Sequence, residues 1–136
     1  MVEIRYFSKS GNTKAIAQSI AAAVGAEAHD ISTPLSGKAD ILFLGGAVYA
    51  FRLAGKLKKF IKTLSPEAVG KVVVFSTAGN PAGASQLIKK QLRKCGIVPA
   101  AEEFHCVGRL AEDEAVQKQA AQFARETIDR LDHDKR

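Results

Sequence analysis

The hydrophobic and polar positions of the chain change their period several times, which predicts alternating strands and helices. Apolar runs rich in strand-forming residues occupy residues 2–7, 41–44 and 72–75. The last two are continuously apolar, as central strands of a parallel sheet are. Residues 26–31 alternate apolar and polar, which is typical of an edge strand, and a fifth strand is predicted near residues 101–107.

Four helices are predicted between and after these strands. In the first, over residues 13–24, Ile16, Ile20 and Val24 recur every four positions and Gly25 follows as a stop. The others have apolar faces within residues 53–64, 87–92 and 116–131. The alternation predicts an α/β fold with three layers, a doubly wound five-stranded parallel sheet with helices on both faces. We expect one domain over residues 1–136, with ligands bound beyond the carboxyl ends of the strands.

Composition and charge add expectations about location and partners. The chain starts directly with a strand-like segment and no apolar run approaches the ~18 residues of a membrane span, so a cytoplasmic protein without a membrane contact is expected. Cys95 and Cys106 lie too far apart for a CxxC pair and are expected as reduced thiols. Residues 31–100 carry eleven basic against two acidic residues, a net +9. This surplus predicts either an acidic partner or a solvated surface, and the sequence leaves both open.

The loop after the first strand carries the clearest binding chemistry. It places three hydroxyls, an amide and a glycine directly before a helix N-terminus, in the order Ser8-Lys9-Ser10-Gly11-Asn12-Thr13. Such a helix end offers unpaired N–H groups and a partial positive charge, both of which favour a phosphate. The alternative is that Ser10 or Asn12 only caps the helix.

The segment from Tyr6 to Thr13 resembles the phosphate-binding signature of the flavodoxin family, with small hydroxyl residues around Gly-Asn-Thr. The resemblance extends over nearly the whole chain in element order. It implies a sheet order of 2-1-3-4-5 and a flavin mononucleotide (FMN) held without a covalent bond. The chain has no insertion in strand five and so is similar to the short-chain members. The phosphate contacts implied by the resemblance are Ser8, Lys9, Ser10, Gly11, Asn12 and Thr13.

The same resemblance places the isoalloxazine ring between the loops that follow strands three and four. Tyr49 would stack on the ring, or else pack over the sheet edge. Gly79 can adopt a positive φ and Asn80 would hydrogen-bond the polar edge of the flavin, or else both serve only as turn residues. The ring contacts expected from this resemblance are Ala47, Val48, Tyr49, Ala78, Gly79 and Asn80.

Three features depart from the family pattern. Many flavodoxins are strongly acidic and carry an aromatic residue in each loop beside the ring, whereas this chain is basic and has no aromatic residue between Ser76 and Gly83. One ring face is therefore expected to stay open. The basic segment is expected to make the low-potential couple less negative, because it offsets the charge gained on reduction. Arg5, within a predicted central strand, has no explanation from the sequence.

These features lead to one favoured function and two alternatives. The favoured one is a low-potential electron carrier that serves redox partner proteins and needs no catalytic side chain. The alternatives are an FMN-dependent oxidoreductase acting on a quinone, a nitro compound or NAD(P)H, and a scaffold that has lost the cofactor. The GxGxxG and GxxxxGK[ST] patterns are absent, and the three histidines have no metal-ligand spacing. Nucleic-acid binding is disfavoured because the lysine-rich helix lacks interleaved aromatic residues.

Overall fold

The computed structural model describes residues 1–49, 52–77 and 83–134. The five strands of the main sheet are β1 Val2–Tyr6, β2 Ala28–Asp30, β3 Ala39–Gly46, β4 Val69–Ser76 and β5 Pro99–His105. They form one parallel sheet in the order β2-β1-β3-β4-β5, which confirms the predicted order.

Helices cover both faces of the sheet, as predicted. The α-helices in the described residues are α1 Asn12–Val24, α2 Gly55–Lys62, α3 Gly83–Lys94 and α4 Glu114–Asp134. Alternate strand residues point to opposite faces of the sheet. Ile41 and Phe43 pack with α1 and α4, whereas Leu42 and Leu44 pack with α2 and α3. In the described residues, no helix is both long and apolar enough to cross a membrane.

The structure adds two short elements that the sequence did not predict, and one of them contains Leu53, which was wrongly expected on the second helix. An antiparallel ladder pairs Val48–Tyr49 with Arg52–Leu53, and a 3-10 turn, Gly108–Leu110, follows β5. Strand β5 also begins at Pro99 and ends at His105, two residues earlier than predicted at each end. Elements of two or three residues are too short to show a hydrophobic period, so tertiary contacts decide whether they form.

The connection between β2 and β3, residues 31–38, contains no helix. Parallel strands of one sheet are usually joined through a helix that covers the sheet face between them. Here β1 lies between β2 and β3, and on the face covered by α2 and α3 it presents Arg5 instead of an apolar side chain. The layer of α2 and α3 is thus incomplete over this side of the sheet.

Arg5 is 2% exposed and fastens this connection to the sheet. Its Nε donates to the Thr33 carbonyl and its Nη2 to the Pro34 carbonyl, each at 2.8 Å. Nη2 also lies 3.0 Å from Glu3 Oε1, and Nη1 donates to the Ile4 carbonyl at 2.9 Å. A buried guanidinium is tolerated only when its donors are satisfied and its charge is paired, and both conditions hold. The buried Arg5 side chain therefore holds the β2–β3 connection, which lacks a helix, against the sheet.

Replacing Arg5 by methionine is expected to lower the free energy of unfolding by about 2 to 4 kcal/mol, because the Glu3 carboxylate and the two loop carbonyls lose their donors. Urea denaturation followed by circular dichroism measures this loss. Arg125→Met, at an exposed position of α4, is the matched control and is expected to change stability by less than about 0.5 kcal/mol. Equal effects of the two substitutions would contradict the role given to Arg5.

Candidate functional site

The carboxyl ends of β1, β3, β4 and β5 bring their loops together along one edge of the sheet. Backbone hydrogen bonds continue beyond the strands there. The Phe7 N–H donates to the Gly45 carbonyl at 3.1 Å, the Thr77 N–H to the Gly46 carbonyl at 3.4 Å, and the Cys106 N–H to the Ser76 carbonyl at 3.1 Å. The starts of the four loops are therefore held in register with one another.

The loop of residues 8–13, called the phosphate loop below, leads into a helix whose N-terminus has no side-chain cap. The N-cap residue of α1 is Gly11. The first intrahelical bond runs from the Ala15 N–H to the Gly11 carbonyl at 3.0 Å, so the amides of Asn12, Thr13 and Lys14 have no acceptor within the helix. The interpretation of Ser10 or Asn12 as the cap is wrong, because the N-cap position is occupied by Gly11, which has no side chain.

Gly11 gives the phosphate loop its shape. Its φ of 90° lies in the left-handed region that favours glycine, and a Cβ at this position would meet no atom within 4 Å. The Gly11 N–H donates to Ser8 Oγ at 2.9 Å, which leaves the Ser8 hydroxyl hydrogen able to donate elsewhere. Together with the exposed Ser10, the loop offers open space, hydroxyl donors and free helix amides. This donor set fits the phosphate of FMN.

Thr13 contributes to the loop through its backbone, because its hydroxyl is already bound. The hydroxyls of Thr13 and Thr77 lie 2.7 Å apart, and the two residues are 1% and 5% exposed. This bond joins the first turn of α1 to the end of β4, 64 residues later in the chain. The sequence showed a hydroxyl residue at the end of a predicted strand but carried no signal for its partner.

Asn12 lies against the turn that follows β5. A Cβ on Gly108 would lie 2.8 Å from Asn12 Nδ2 and 2.9 Å from the Thr77 carbonyl oxygen, so only glycine lets this turn approach so closely. Gly108 was not among the predicted site residues. It belongs to the site because it sets the position of the Asn12 side chain.

The last two residues of β3, Gly45 and Gly46, have no space for a side chain. A Cβ on Gly45 would overlap the Phe75 ring, and one on Gly46 would come within 2.6 Å of Leu57 Cδ2. Ala47, half-buried, follows directly. Its place at the carboxyl edge agrees with a ring contact but does not test it.

The remaining ring contacts stay predictions. The backbones of Val48 and Tyr49 pair with Arg52–Leu53, and their side chains are not described. Ala78, Gly79 and Asn80 lie outside the described residues.

Polar contacts to β5 anchor both flanks of the loop after β4. On the strand side, Ser76 Oγ lies 2.8 Å from His105 Nδ1. On the helix side, Ser85 Oγ donates to the Glu103 carboxylate, and Lys89 Nζ lies 3.3 Å from Glu103 Oε1. Ser76 before the loop and Ser85 after it are thus both joined to side chains of β5.

His105 and Cys106, at the end of β5, have shifted pKa values. Burial lowers the pKa of His105 below its ordinary 6.5, and the Glu103 carboxylate partly opposes this shift. Burial raises the pKa of the Cys106 thiol, which keeps it protonated and unreactive. Cys95 and Cys106 are both free thiols. Within residues 1–49, 52–77 and 83–134, no three His, Cys, Asp or Glu side chains gather as a metal site.

Thr13→Val and Thr77→Val are each expected to lower the free energy of unfolding by about 1 to 2 kcal/mol, because each leaves one buried hydroxyl without its partner. The double variant is expected to lose less than the sum of the two, by about 1 kcal/mol, since no hydroxyl is then left unpaired. Urea denaturation of the parent, the two single variants and the double variant gives the four values of a double-mutant cycle. Strictly additive losses would show that the two hydroxyls do not interact.

The lowered pKa of His105 predicts a pH dependence of stability. The unfolded chain takes up a proton near pH 6.5 while the folded chain resists it, so this residue makes the fold less stable as pH falls below about 6.5. The loss levels off below the folded pKa. His105→Gln is expected to flatten the fall in unfolding free energy between pH 7.5 and 5, measured by urea denaturation. His29→Gln, on the edge strand, controls for removal of an imidazole, and an unchanged slope in His105→Gln would refute the assignment.

Comparisons with known proteins agree with this geometry. A family model for the flavodoxin domain matches residues 3–114. No curated protein sequence matches the chain. Flavodoxin 2 from Bacillus cereus, in its oxidised form, superposes with a TM-score of 0.72 at 19% identity, covering 95% of this chain and 98% of the other.

Two further solved structures share the fold. The two-electron reduced flavodoxin of Megasphaera elsdenii has a TM-score of 0.64 at 24% identity, covering 91% of this chain and 98% of its own. An NADH:FMN oxidoreductase in its apo form has a TM-score of 0.65 at 19% identity, with coverages of 92% and 86%. At these identities the superpositions show the fold alone. The family model, in contrast, spans most of the sequence, and the chain therefore belongs to the flavodoxin family.

Proposed function

We propose that this protein binds FMN without a covalent bond and acts as a low-potential electron carrier. The observation that carries the proposal is the N-terminus of α1, where Gly11 leaves three helix amides uncapped beside open space. An anion is the natural occupant of such a helix end, because the amides and the helix dipole both favour negative charge.

In this proposal the residues of the chain bind and orient, while the bound flavin supplies the one- and two-electron chemistry. The amides of Asn12, Thr13 and Lys14 and the hydroxyls of Ser8 and Ser10 hold the phosphate. The bond between Thr13 and Thr77 sets the spacing between the phosphate loop and the loop after β4. Ala47, Tyr49, Gly79 and Asn80 are the proposed contacts of the ring.

The distribution of charge supports an acidic redox partner. The four lysines of α2 are exposed, and so are Lys90, Arg93 and Lys94 of α3. These two helices share one face of the sheet, whereas the acidic residues of α4 lie on the other face. Seven of the eleven basic residues in this segment are thus exposed on one side of the molecule. Such a surface speeds the encounter with an acidic partner at low ionic strength.

Ser10→Asp tests the binding of the phosphate. The added carboxylate is expected to weaken FMN binding by at least about tenfold, because it lies beside the phosphate in a partly shielded loop. Riboflavin, which has the same ring and no phosphate, is expected to bind weakly to the parent protein and to be little affected. Quenching of flavin fluorescence on titration with apoprotein gives both affinities.

Ser36→Asp, at another exposed serine far along the chain, is the matched control and is expected to bind FMN like the parent. An equal affinity of the parent protein for FMN and riboflavin would contradict the phosphate site. A parent protein that binds neither flavin would favour the scaffold without cofactor.

A turnover assay separates the carrier from the oxidoreductase. The holoprotein alone is expected to oxidise NADH or NADPH only slowly with a quinone or nitro compound as acceptor, and to pass electrons rapidly once a flavodoxin reductase reduces it. Rapid turnover by the holoprotein alone would assign the enzyme instead.

A further inference from the structure

A cavity of about 860 Å³ lies between the β2–β3 connection and helix α2. It occupies the side of the sheet that a crossover helix between β2 and β3 would cover, and the connection has none. The lining includes residues of the connection, of α2 and of the segment after α2, but no residue of the phosphate loop. This space, called the connection cavity here, is therefore distinct from the phosphate loop.

Most of the surface of the connection cavity is apolar. Phe60 and Leu64 line it from the side of α2, Ile31 and Leu35 from the connection, and Phe7 from the end of β1. The volume falls within the roughly 300 to 1,000 Å³ that is typical of small-molecule sites. An apolar space of this size in contact with water favours an occupant that brings apolar surface of its own.

The charged residues that line the cavity are mainly basic. Lys38, Lys56 and Lys59 line it, all three are exposed, and within the described part of the chain none of them is within ion-pair distance of a carboxylate. The one acidic residue among the described lining is Asp30, whose Oδ1 accepts the Ser32 N–H at 2.8 Å. Three unpaired ammonium groups around an apolar space complement a negative charge carried on an apolar body.

We propose that the connection cavity binds a small organic anion, a carboxylate or sulfonate attached to an aliphatic or aromatic body. The body lies against Phe60, Leu64 and Leu35, and the anionic group faces Lys56 and Lys59. The volume is large enough for one such molecule. This site is independent of the flavin and would exist whether or not the proposed electron-carrier function is correct.

The test uses anilinonaphthalene sulfonate, a fluorescent probe with an apolar body and one negative charge. The folded parent protein is expected to bind one equivalent saturably, with a rise in fluorescence. Decanoate below its micelle concentration is expected to displace the probe, and decanol, with the same chain and no charge, is expected to compete far less. Decanol competing as well as decanoate, or absence of saturable binding, would overturn the proposal.

Two pairs of variants locate the site. Lys56→Gln combined with Lys59→Gln is expected to weaken probe binding roughly tenfold, because two charge contacts at the exposed rim of the cavity are lost. Lys90→Gln combined with Lys94→Gln, which removes the same charge from α3, is expected to leave it unchanged. Ser32→Phe, which fills the cavity from the connection, is expected to abolish binding, whereas Ser36→Phe, outside the lining, is not.

Circular dichroism and urea denaturation of each variant verify that the fold is intact, since partly unfolded proteins also bind this probe. If the two pairs of lysine substitutions weakened probe binding equally, the effect would come from net charge alone, and the proposed site would be overturned. Light scattering tests whether a second copy of the chain fills the cavity instead. A stable dimer that loses probe binding on association would show that it does, and would also overturn the proposal.

Discussion

In a parallel sheet, every strand ends at the same edge, and this constraint organises the rest of the molecule. Residues from positions 8 to 108 of the chain meet at that edge because β1, β3, β4 and β5 all run the same way. The backbone hydrogen bonds that continue past the strand ends hold the loops in register before any side chain takes part. The site is thus a consequence of topology, and side-chain chemistry decides only what it binds.

Within this edge, small residues allow close approach and hydroxyls supply the connections. Gly45 and Gly108 leave no space for a Cβ, and the Thr13–Thr77 bond ties α1 to β4. Because that bond uses the Thr13 hydroxyl, the helix N-terminus is left with amides and with the two serines of the phosphate loop. Buried hydroxyls therefore stabilise the fold through hydrogen bonds to each other, whereas exposed hydroxyls remain available to bind an anion.

The absence of a helix between β2 and β3 has two linked consequences. The short connection leaves carbonyl groups over the sheet, which must be satisfied, and the guanidinium of Arg5 satisfies two of them. The connection bound by Arg5 does not fill the volume that a helix would occupy. An apolar space with basic residues among its lining therefore remains beside α2. One local departure from the doubly wound pattern therefore explains both the buried arginine and the connection cavity.

The sequence by itself determined the strand and helix alternation, the five parallel strands, the resemblance at Ser8–Thr13 and the excess of positive charge. These features follow from local periodicity, helix-end chemistry and counting, which need no knowledge of long-range contacts. Only the tertiary structure decided the partner of Thr77, the role of Gly108, the hydrogen bonds of Arg5 to the β2–β3 connection, and the placement of the exposed basic residues of α2 and α3 on one face. Each of these depends on residues far apart in the chain, and a pairing across such distances is fixed by the packing of the sheet and helices, not by any local pattern.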